Sequence, residues 1–124
     1  MKQAITTKEA PAAIGPYSQA ISAGELLFVS GMLGIDPESG EIRGGMAEQA
    51  EQALKNLSAA LKAADMTEAN VVKTTIFLRN MAAFGTVNEI YARYFSAPYP
   101  ARSCVQVEAL PKSGLIEIEA IARK

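Results

Sequence analysis

The sequence predicts an α+β fold, in which a single sheet carries two helices on one of its faces. Apolar residues recur at helical spacing in two separated segments, and short apolar or β-branched runs bounded by turn residues lie around those segments. The chain has 124 residues, of which 49% are hydrophobic and 20% are charged. That length and composition suit one domain, residues 1–124, with its own hydrophobic core.

The first half of the chain predicts a strand, a turn and a helix. Residues 26–30 form a short apolar run between glycines, which is typical of a strand. Residues 36–40 predict a turn, since proline restricts one backbone angle and glycine tolerates a positive φ. The first helix begins at Met46 and carries apolar residues at helical spacing, namely Ala50, Ala53, Leu54, Leu57, Leu61 and Ala64.

The second half predicts a strand, a helix and two further strands. Residues 71–78 are rich in β-branched side chains, which favour a strand. A second amphipathic helix is predicted by apolar residues at helical spacing, namely Phe84, Val87, Tyr91, Tyr94 and Phe95. Residues 103–109 and 115–122 predict two strands of a closing hairpin, joined by a turn through residues 111–114.

Alternation along this hairpin predicts a polar sheet face. The valines of residues 103–109 point to one side of their strand, and Cys104 points to the other, as does Arg102 if the strand reaches it. In the last strand the isoleucines and alanines alternate with Glu117 and Glu119. If both apolar sets pack under the helices, the arginine, the cysteine and the two glutamates share one face. We expect a ligand there, because purely structural strands more easily carry neutral residues.

Composition excludes several classes of function. The net charge is -1, with 12 basic and 13 acidic residues, so there is no positive field to hold a nucleic acid or an anionic membrane. One cysteine excludes an intrachain disulfide, and no apolar run reaches the length of a membrane span. The first residues lead into polar ones rather than an apolar signal segment. We expect a soluble, cytoplasmic protein in a reducing compartment.

The chain contains no histidine. This removes the usual general base near neutral pH and the commonest metal ligand, and it excludes serine–histidine and cysteine–histidine nucleophiles. No metal site is expected, because a zinc site would have to depend on carboxylates. Any chemistry must use carboxylates, arginine, tyrosine, backbone groups and water.

Five separated motifs, in order, resemble the RidA/YjgF family over essentially the whole chain. They are AIGPYSQA at 13–20, FVSG at 28–31, TVNE at 86–89, PARSC at 100–104 and IEIEAIA at 116–122. The resemblance implies an α+β fold similar to the chorismate mutase of bacilli, with a single mixed sheet and two helices on one face. It also implies a homotrimeric barrel with one site at each subunit interface.

The same resemblance implies a 2-iminobutanoate/2-iminopropanoate deaminase. Such an enzyme hydrolyses reactive 2-enamine and 2-imine acids, such as 2-aminoacrylate, to 2-keto acids and ammonia. Its biological role is metabolite damage control, since pyridoxal-phosphate enzymes release these intermediates. No metal or organic cofactor is expected, because the substrate is already activated.

Three residues take principal roles through the resemblance. Arg102 grips the substrate carboxylate, for which a guanidinium offers two parallel hydrogen bonds; the alternative is a surface salt bridge. Glu117 holds or activates the attacking water; the alternative is a solvated strand face, which suits Glu119 better. Tyr17 lines the pocket and covers the planar substrate; the alternative is a core tyrosine.

Three further positions match the family pocket. Ser30 and Asn88 contribute polar groups, although either could be only a cap or a satisfied polar residue. Cys104 lines the pocket, and its backbone groups bind substrate or water. No histidine is present to activate this thiol, so simple packing is an alternative.

Two other functions remain open at the level of sequence. A non-catalytic or regulatory protein could hold keto acids or other small carboxylates in the same Arg102 cleft. Relatives without this arginine look unable to deaminate, so its presence favours the enzyme. Ribonuclease activity, which has been attached to some animal relatives, is disfavoured by the net charge of -1 and the absence of histidine.

Overall fold

The computed structural model describes all residues 1–124. Six strands and two α-helices form the fold, together with three short 3-10 turns. In chain order they are β1 (Lys2–Ile5), β2 (Ala20–Ala23), β3 (Leu26–Leu33), α1 (Met46–Ala63), β4 (Val71–Leu78), α2 (Phe84–Tyr91), β5 (Ala101–Gln106) and β6 (Ile116–Arg123). The strands make one mixed sheet in the order β1-β2-β3-β6-β4-β5, in which only β4 and β5 are parallel.

Both helices cover one face of this sheet. The apolar stripe of α1 is buried against β3 and β6, and each fully buried leucine contributes about 1.5–3 kcal/mol through its removal from water. Asn56 of α1 is also fully buried, and its amide donates to the carbonyl oxygens of Leu33 and Ile35 at 3.0 and 2.8 Å. These bonds attach the helix to the end of β3. No helix is both long and apolar enough to cross a membrane.

Local patterns predict most of these elements correctly. The first helix, the strand at 71–78 and the turn at 36–40 are confirmed, the turn by a hydrogen bond from Gly40 N to Asp36 O at 2.8 Å. The strand predicted at 26–30 continues to Leu33. Helix α2 ends at Tyr91, earlier than predicted, although Phe95 beyond it is buried and stacks on the Tyr91 ring. Strands β1 and β2 are not among the predicted elements.

The predicted closing hairpin is wrong. Strand β6 lies between β3 and β4, whereas β5 lies at the sheet edge and pairs in parallel with β4. A parallel neighbour needs a crossover connection, which α2 supplies. The turn residues at 111–114 indicate that the chain reverses, but they do not indicate which strand it then pairs with.

The shared polar face is also wrong, because the side of β5 that carries Val105 does not pack under the helices and is the side that Glu117 shares. In the ladder between β4 and β5, Arg102 pairs with Thr74 and Cys104 with Ile76, and both β4 residues are fully buried under the helices. Arg102 and Cys104 thus lie on the helix side of the sheet. Glu117 and Glu119 lie on the opposite side, which no helix covers; this side is called the open face below.

One buried amide holds the N-terminal segment in place, and its loss is expected to destabilise the fold. Gln19 is 6% exposed; it accepts a hydrogen bond from Thr7 N at 2.8 Å and donates to the carbonyl oxygens of Thr7, Ala10 and Pro11. Gln19→Ala leaves these backbone groups without their partner, so we expect a loss of about 2–4 kcal/mol in the free energy of unfolding. Urea denaturation measures it. Gln3→Ala, at an exposed position of β1, is the matched control, and equal losses in the two variants would refute the role.

Candidate functional site

All but one of the residues singled out by sequence lie in two separate cavities; the exception is Cys104, which was expected to line the pocket and instead packs against the hydrophobic core. The first, called the open-face pocket, has a volume of about 420 Å³ and is lined by Tyr17, Ser30, Gly31 and Glu117. The second, called the edge cleft, has a volume of about 430 Å³ and is lined by residues of α2 and of the segment that enters β5, namely Asn88, Tyr91, Ala92, Tyr99, Pro100 and Arg102. The structure thus divides the predicted site between the two sides of the sheet.

Glu117 lies against a bulge in β3. The pairing of β3 with β6 is interrupted between Val29 and Met32, which leaves Ser30 and Gly31 in the irregular stretch. A Cβ atom added to Gly31 would be 2.6 Å from Cδ of Glu117, so only glycine lets the carboxyl group lie this close to the backbone. Burial raises the pKa of Glu117, and the negative charge of Glu119 raises it further.

Ser30 and Tyr17 form the wall beside this carboxyl group. The Ser30 hydroxyl donates to Ser18 O at 2.6 Å, so its proton is already used and it offers only lone pairs to a ligand. Tyr17 is 48% exposed, and its hydroxyl accepts a hydrogen bond from Ile14 N at 3.3 Å. This exposure excludes the core-tyrosine alternative and leaves the ring available to cover a ligand.

Arg102 lies in the edge cleft without a charged partner. None of the three salt bridges in the chain involves it, so the surface salt-bridge alternative is not observed. Its Cζ atom lies 4.8 Å from the ring centroid of Tyr91 and 5.5 Å from that of Phe84. A partly buried guanidinium with no anion beside it is suited to bind an anionic ligand.

Asn88 and Cys104 lie on the same side of the sheet as Arg102. The Oδ1 atom of Asn88 is buried and has no hydrogen-bond partner, which costs about 1–3 kcal/mol in such a position. The Cys104 side chain packs against the hydrophobic core; burial raises the pKa of its thiol, and the positive charge of Arg102 lowers it in part. A thiol in this environment stays protonated, which agrees with packing and not with nucleophilic attack.

Arg102 and Glu117 cannot contact the same small ligand within one chain. Their strands β5 and β6 are separated by β4, which places them about 10 Å apart across the sheet, and they point to opposite faces. A site that uses both residues therefore needs a second copy of the chain.

Gly31, Phe84 and Tyr91 also contact the candidate site residues, although their roles are not evident from the sequence alone. Gly31 follows a strand-like apolar run, and a glycine inside such a run is a recognised sign of a bulge or a close backbone approach. Phe84 and Tyr91 were recognisable only as apolar positions of a helix. No cluster of three histidine, cysteine, aspartate or glutamate side chains is arranged to hold a metal ion.

The chain is similar to proteins of known family. A family model described as Endoribonuclease L-PSP matches residues 7–124. A mouse protein named 2-iminobutanoate/2-iminopropanoate deaminase is 54% identical over 123 residues, which cover 98% of this chain and 91% of the mouse protein. The crystal structure of RidA from a Psychrobacter species matches with a TM-score of 0.97 at 46% identity, covering 98% and 99% of the two chains. That of E. coli TdcF with bound serine matches with a TM-score of 0.95 at 42% identity, covering 98% of each chain.

Proposed function

Because the chain belongs to the YjgF/RidA family, whose model is described as Endoribonuclease L-PSP, we propose that it is a 2-iminobutanoate/2-iminopropanoate deaminase. It hydrolyses small 2-imine acids, which form from 2-enamine acids such as 2-aminoacrylate, to 2-keto acids and ammonia. The observation that carries the proposal is the Arg102 guanidinium, which is partly buried, joins no salt bridge and lines a cleft of small-molecule size.

Arg102 binds the substrate carboxylate through two parallel hydrogen bonds. This contact sets the distance between the imine carbon and the water that Glu117 holds, so the attack occurs within a fixed geometry. Tyr17, from the wall of the open-face pocket, covers the planar imine with its ring. Ser30 and Asn88 complete the polar lining, and Cys104 supports the strand that carries Arg102.

The hydrolysis needs one group that can both accept and donate a proton. Glu117 takes a proton from water as the oxygen bonds to the imine carbon, and the π electrons of the C=N bond move to nitrogen. Glu117 returns this proton to the nitrogen, which gives the neutral carbinolamine. Glu117 then takes the hydroxyl proton of the carbinolamine and passes it to the nitrogen, so the C=O bond forms as the C–N bond breaks. Ammonia and the keto acid leave, and Glu117 is ionised again. The raised pKa of Glu117 suits it to both proton transfers, because a carboxyl group whose pKa lies closer to neutral pH both accepts and donates a proton more readily there.

The catalytic assembly we propose is a homotrimer with one site at each subunit interface. Its support is that Arg102 and Glu117 lie on opposite faces of one chain, so both reach one ligand only if the edge cleft of one subunit meets the open-face pocket of its neighbour. The open face also exposes large apolar side chains, since Phe28 and Val105 are each 43% exposed. Sedimentation equilibrium tests the stoichiometry; a mass near the 13.2 kDa of one chain would contradict it.

Mixing two inactive variants is expected to restore activity. Arg102→Ala subunits keep Glu117, and Glu117→Gln subunits keep Arg102, so a mixed trimer contains interfaces where an intact arginine meets an intact glutamate. Random assembly of equal amounts gives intact sites at about one quarter of the interfaces. The variants are unfolded and refolded together, and the keto acid formed is measured. Separate refolding followed by mixing without exchange is the control, and no recovery after joint refolding would refute a site shared between two subunits.

Gly31→Ala is expected to lower kcat by about 10- to 100-fold, because the added methyl group displaces the Glu117 carboxyl group from its position beside the bulge. KM changes little, since the added methyl group meets only Glu117 and the carboxylate anchor Arg102 comes from the neighbouring subunit. Steady-state kinetics measure both. The matched control is Gly85→Ala in α2, where no atom lies within 4 Å of the added methyl group. Equal activity in the two variants would contradict the role of Gly31.

The direct test generates 2-aminoacrylate in place with a serine dehydratase and follows its disappearance. Addition of the protein accelerates the decay and the release of ammonia, and heat-denatured protein does not. Unchanged decay would exclude this substrate and favour the second function open at the level of sequence, a binding protein for small carboxylates. A parallel incubation with single-stranded RNA tests for the ribonuclease activity that the description of the family model names. RNA cleavage would contradict the deaminase assignment.

A cytoplasmic location agrees with a chain that carries one cysteine and works on intermediates released by pyridoxal-phosphate enzymes. Fractionation of cells that express the tagged full chain tests this location.

A further inference from the structure

The guanidinium of Arg102 is surrounded by a set of contacts that the reaction itself does not require. Phe84 and Tyr91 are seven residues apart in the sequence, so the two rings lie on one side of α2, two turns from each other. That side faces the start of β5, where Arg102 begins the strand after Ala101. The Cζ atom of Arg102 lies within 4.8 Å of one ring centroid and 5.5 Å of the other, which is the range of a cation–π contact.

Tyr91 is held in place by a buried hydrogen bond. Its hydroxyl lies 2.8 Å from Oγ1 of Thr74, and both residues are buried. Thr74 is also the residue that pairs with Arg102 across the β4–β5 ladder. The backbone of Arg102 and the ring beneath its guanidinium are therefore attached to the same β4 residue. Burial raises the pKa of Tyr91, so this phenol keeps its proton and its hydrogen bond at neutral pH.

We propose that Phe84 and Tyr91 are positioning residues, which hold the Arg102 guanidinium against their ring faces and leave its N–H edge free for the carboxylate of the substrate. A guanidinium donates its hydrogen bonds in its own plane, whereas its flat faces are weakly hydrated and stack on aromatic rings. Rings on a flat face therefore restrict the side chain without competing for its donors. This preorganisation reduces the side-chain entropy that is lost when a carboxylate binds.

The positioning role rests on the proposed function in one respect only, namely that the carboxylate bound by Arg102 belongs to a 2-imino acid substrate. A keto acid carries the same carboxylate, so binding of 2-oxobutanoate reports on the arginine without any turnover. Binding of 2-oxobutanoate therefore tests the positioning role, and imine hydrolysis tests the deaminase function. A protein that binds 2-oxobutanoate through Arg102 but does not accelerate imine hydrolysis would refute the deaminase and leave the positioning role intact.

The test compares Phe84→Leu with Phe84→Tyr. Leucine fills a similar volume without a π face, whereas tyrosine keeps the ring, and Phe84 is exposed enough to accept the added hydroxyl. We expect Phe84→Leu to raise both KM and the Kd for 2-oxobutanoate about two- to fivefold, the range of a single exposed cation–π contact, with kcat unchanged within twofold. Phe84→Tyr restores both constants to the values of the unmodified protein.

Tyr91→Phe provides the second arm. It keeps the ring and loses only the bond to Thr74. We expect a smaller rise in Kd than in Phe84→Leu, together with a measurable loss of thermal stability, because Thr74 then has a buried hydroxyl without a partner. A purely structural role for Phe84 would move stability and leave KM and Kd unchanged. Unchanged Kd in Phe84→Leu, or a rise in Phe84→Tyr equal to that in Phe84→Leu, would overturn the proposal.

Discussion

Arg102→Ala is expected to lower kcat/KM for imine hydrolysis by about 100- to 1000-fold, because it removes two charge-assisted hydrogen bonds to the substrate carboxylate. Arg102→Lys recovers only a small part of this loss, since an ammonium group is a point charge that cannot form the parallel pair and does not stack on the rings of Phe84 and Tyr91. The measurement is the decay of 2-aminoacrylate generated by a serine dehydratase.

The matched control for this prediction is Arg43→Ala. The Arg43 side chain is 67% exposed and forms salt bridges of 3.7 Å with Asp36 and Glu41, which are worth little at the surface. We expect its removal to leave kcat/KM unchanged. Equal activity in Arg102→Ala and Arg43→Ala would refute the role of Arg102 as carboxylate anchor, and with it the central step of the proposed mechanism.

Glu117→Gln is expected to lower kcat by about 100- to 10,000-fold with little change in KM, because the amide cannot accept the proton of the attacking water. The dependence of the hydrolysis rate on pH tests the role of Glu117 more specifically. Hydrolysis needs the ionised carboxylate, so activity falls as the pH drops through the pKa of Glu117. Burial and the charge of Glu119 raise this pKa, so the acid limb lies at a higher pH than it would for an unperturbed glutamate.

Glu119→Gln distinguishes the two causes of that shift. It removes the neighbouring negative charge and keeps the burial of Glu117, so we expect the acid limb to move to lower pH without disappearing. An acid limb that stays in place would show that the charge of Glu119 does not reach Glu117. An acid limb that persists in Glu117→Gln would assign the titration to another group.

Stability supplies an independent check on the same residue. The pKa of Glu117 is higher in the folded state than in the unfolded state, so its contribution to stability is complete below the unfolded pKa and is lost as the pH rises through the folded pKa. Above the folded pKa the ionised Glu117 carboxylate destabilises the fold, and Glu117→Gln removes this destabilisation. We expect the variant to be as stable as the unmodified protein or more so at pH 7, which urea denaturation measures. A large loss of stability would mean that reduced activity reflects unfolding.

The elements of secondary structure were predictable where the pattern is local. The helix from Met46 shows several turns of apolar spacing, and the strand at 71–78 is dense in β-branched residues, so short-range interactions specify both. Strands β1 and β2 were not predictable, because each has only four residues and is defined by its partner more than by its own pattern. The identity of Arg102 and Glu117 as candidates came from residue types and resemblance, and both lie in cavities.

The arrangement of the candidate site depended on which strands pair. Alternation along β5 and β6 correctly separates the two sides of each strand, but it cannot relate one strand to the other. That relation follows from the register in which both strands pair with β4, where Arg102 is opposite Thr74 and Glu117 is opposite Phe77, three residues along and on the other side of the sheet.

The sequence by itself thus determined the helices, the central strands and the chemical groups of the candidate site, since these depend on neighbours along the chain. Only the tertiary structure decided that Arg102 and Glu117 lie on opposite faces, because strand pairing is set by contacts between residues far apart in sequence and by the burial of the whole sheet against α1 and α2.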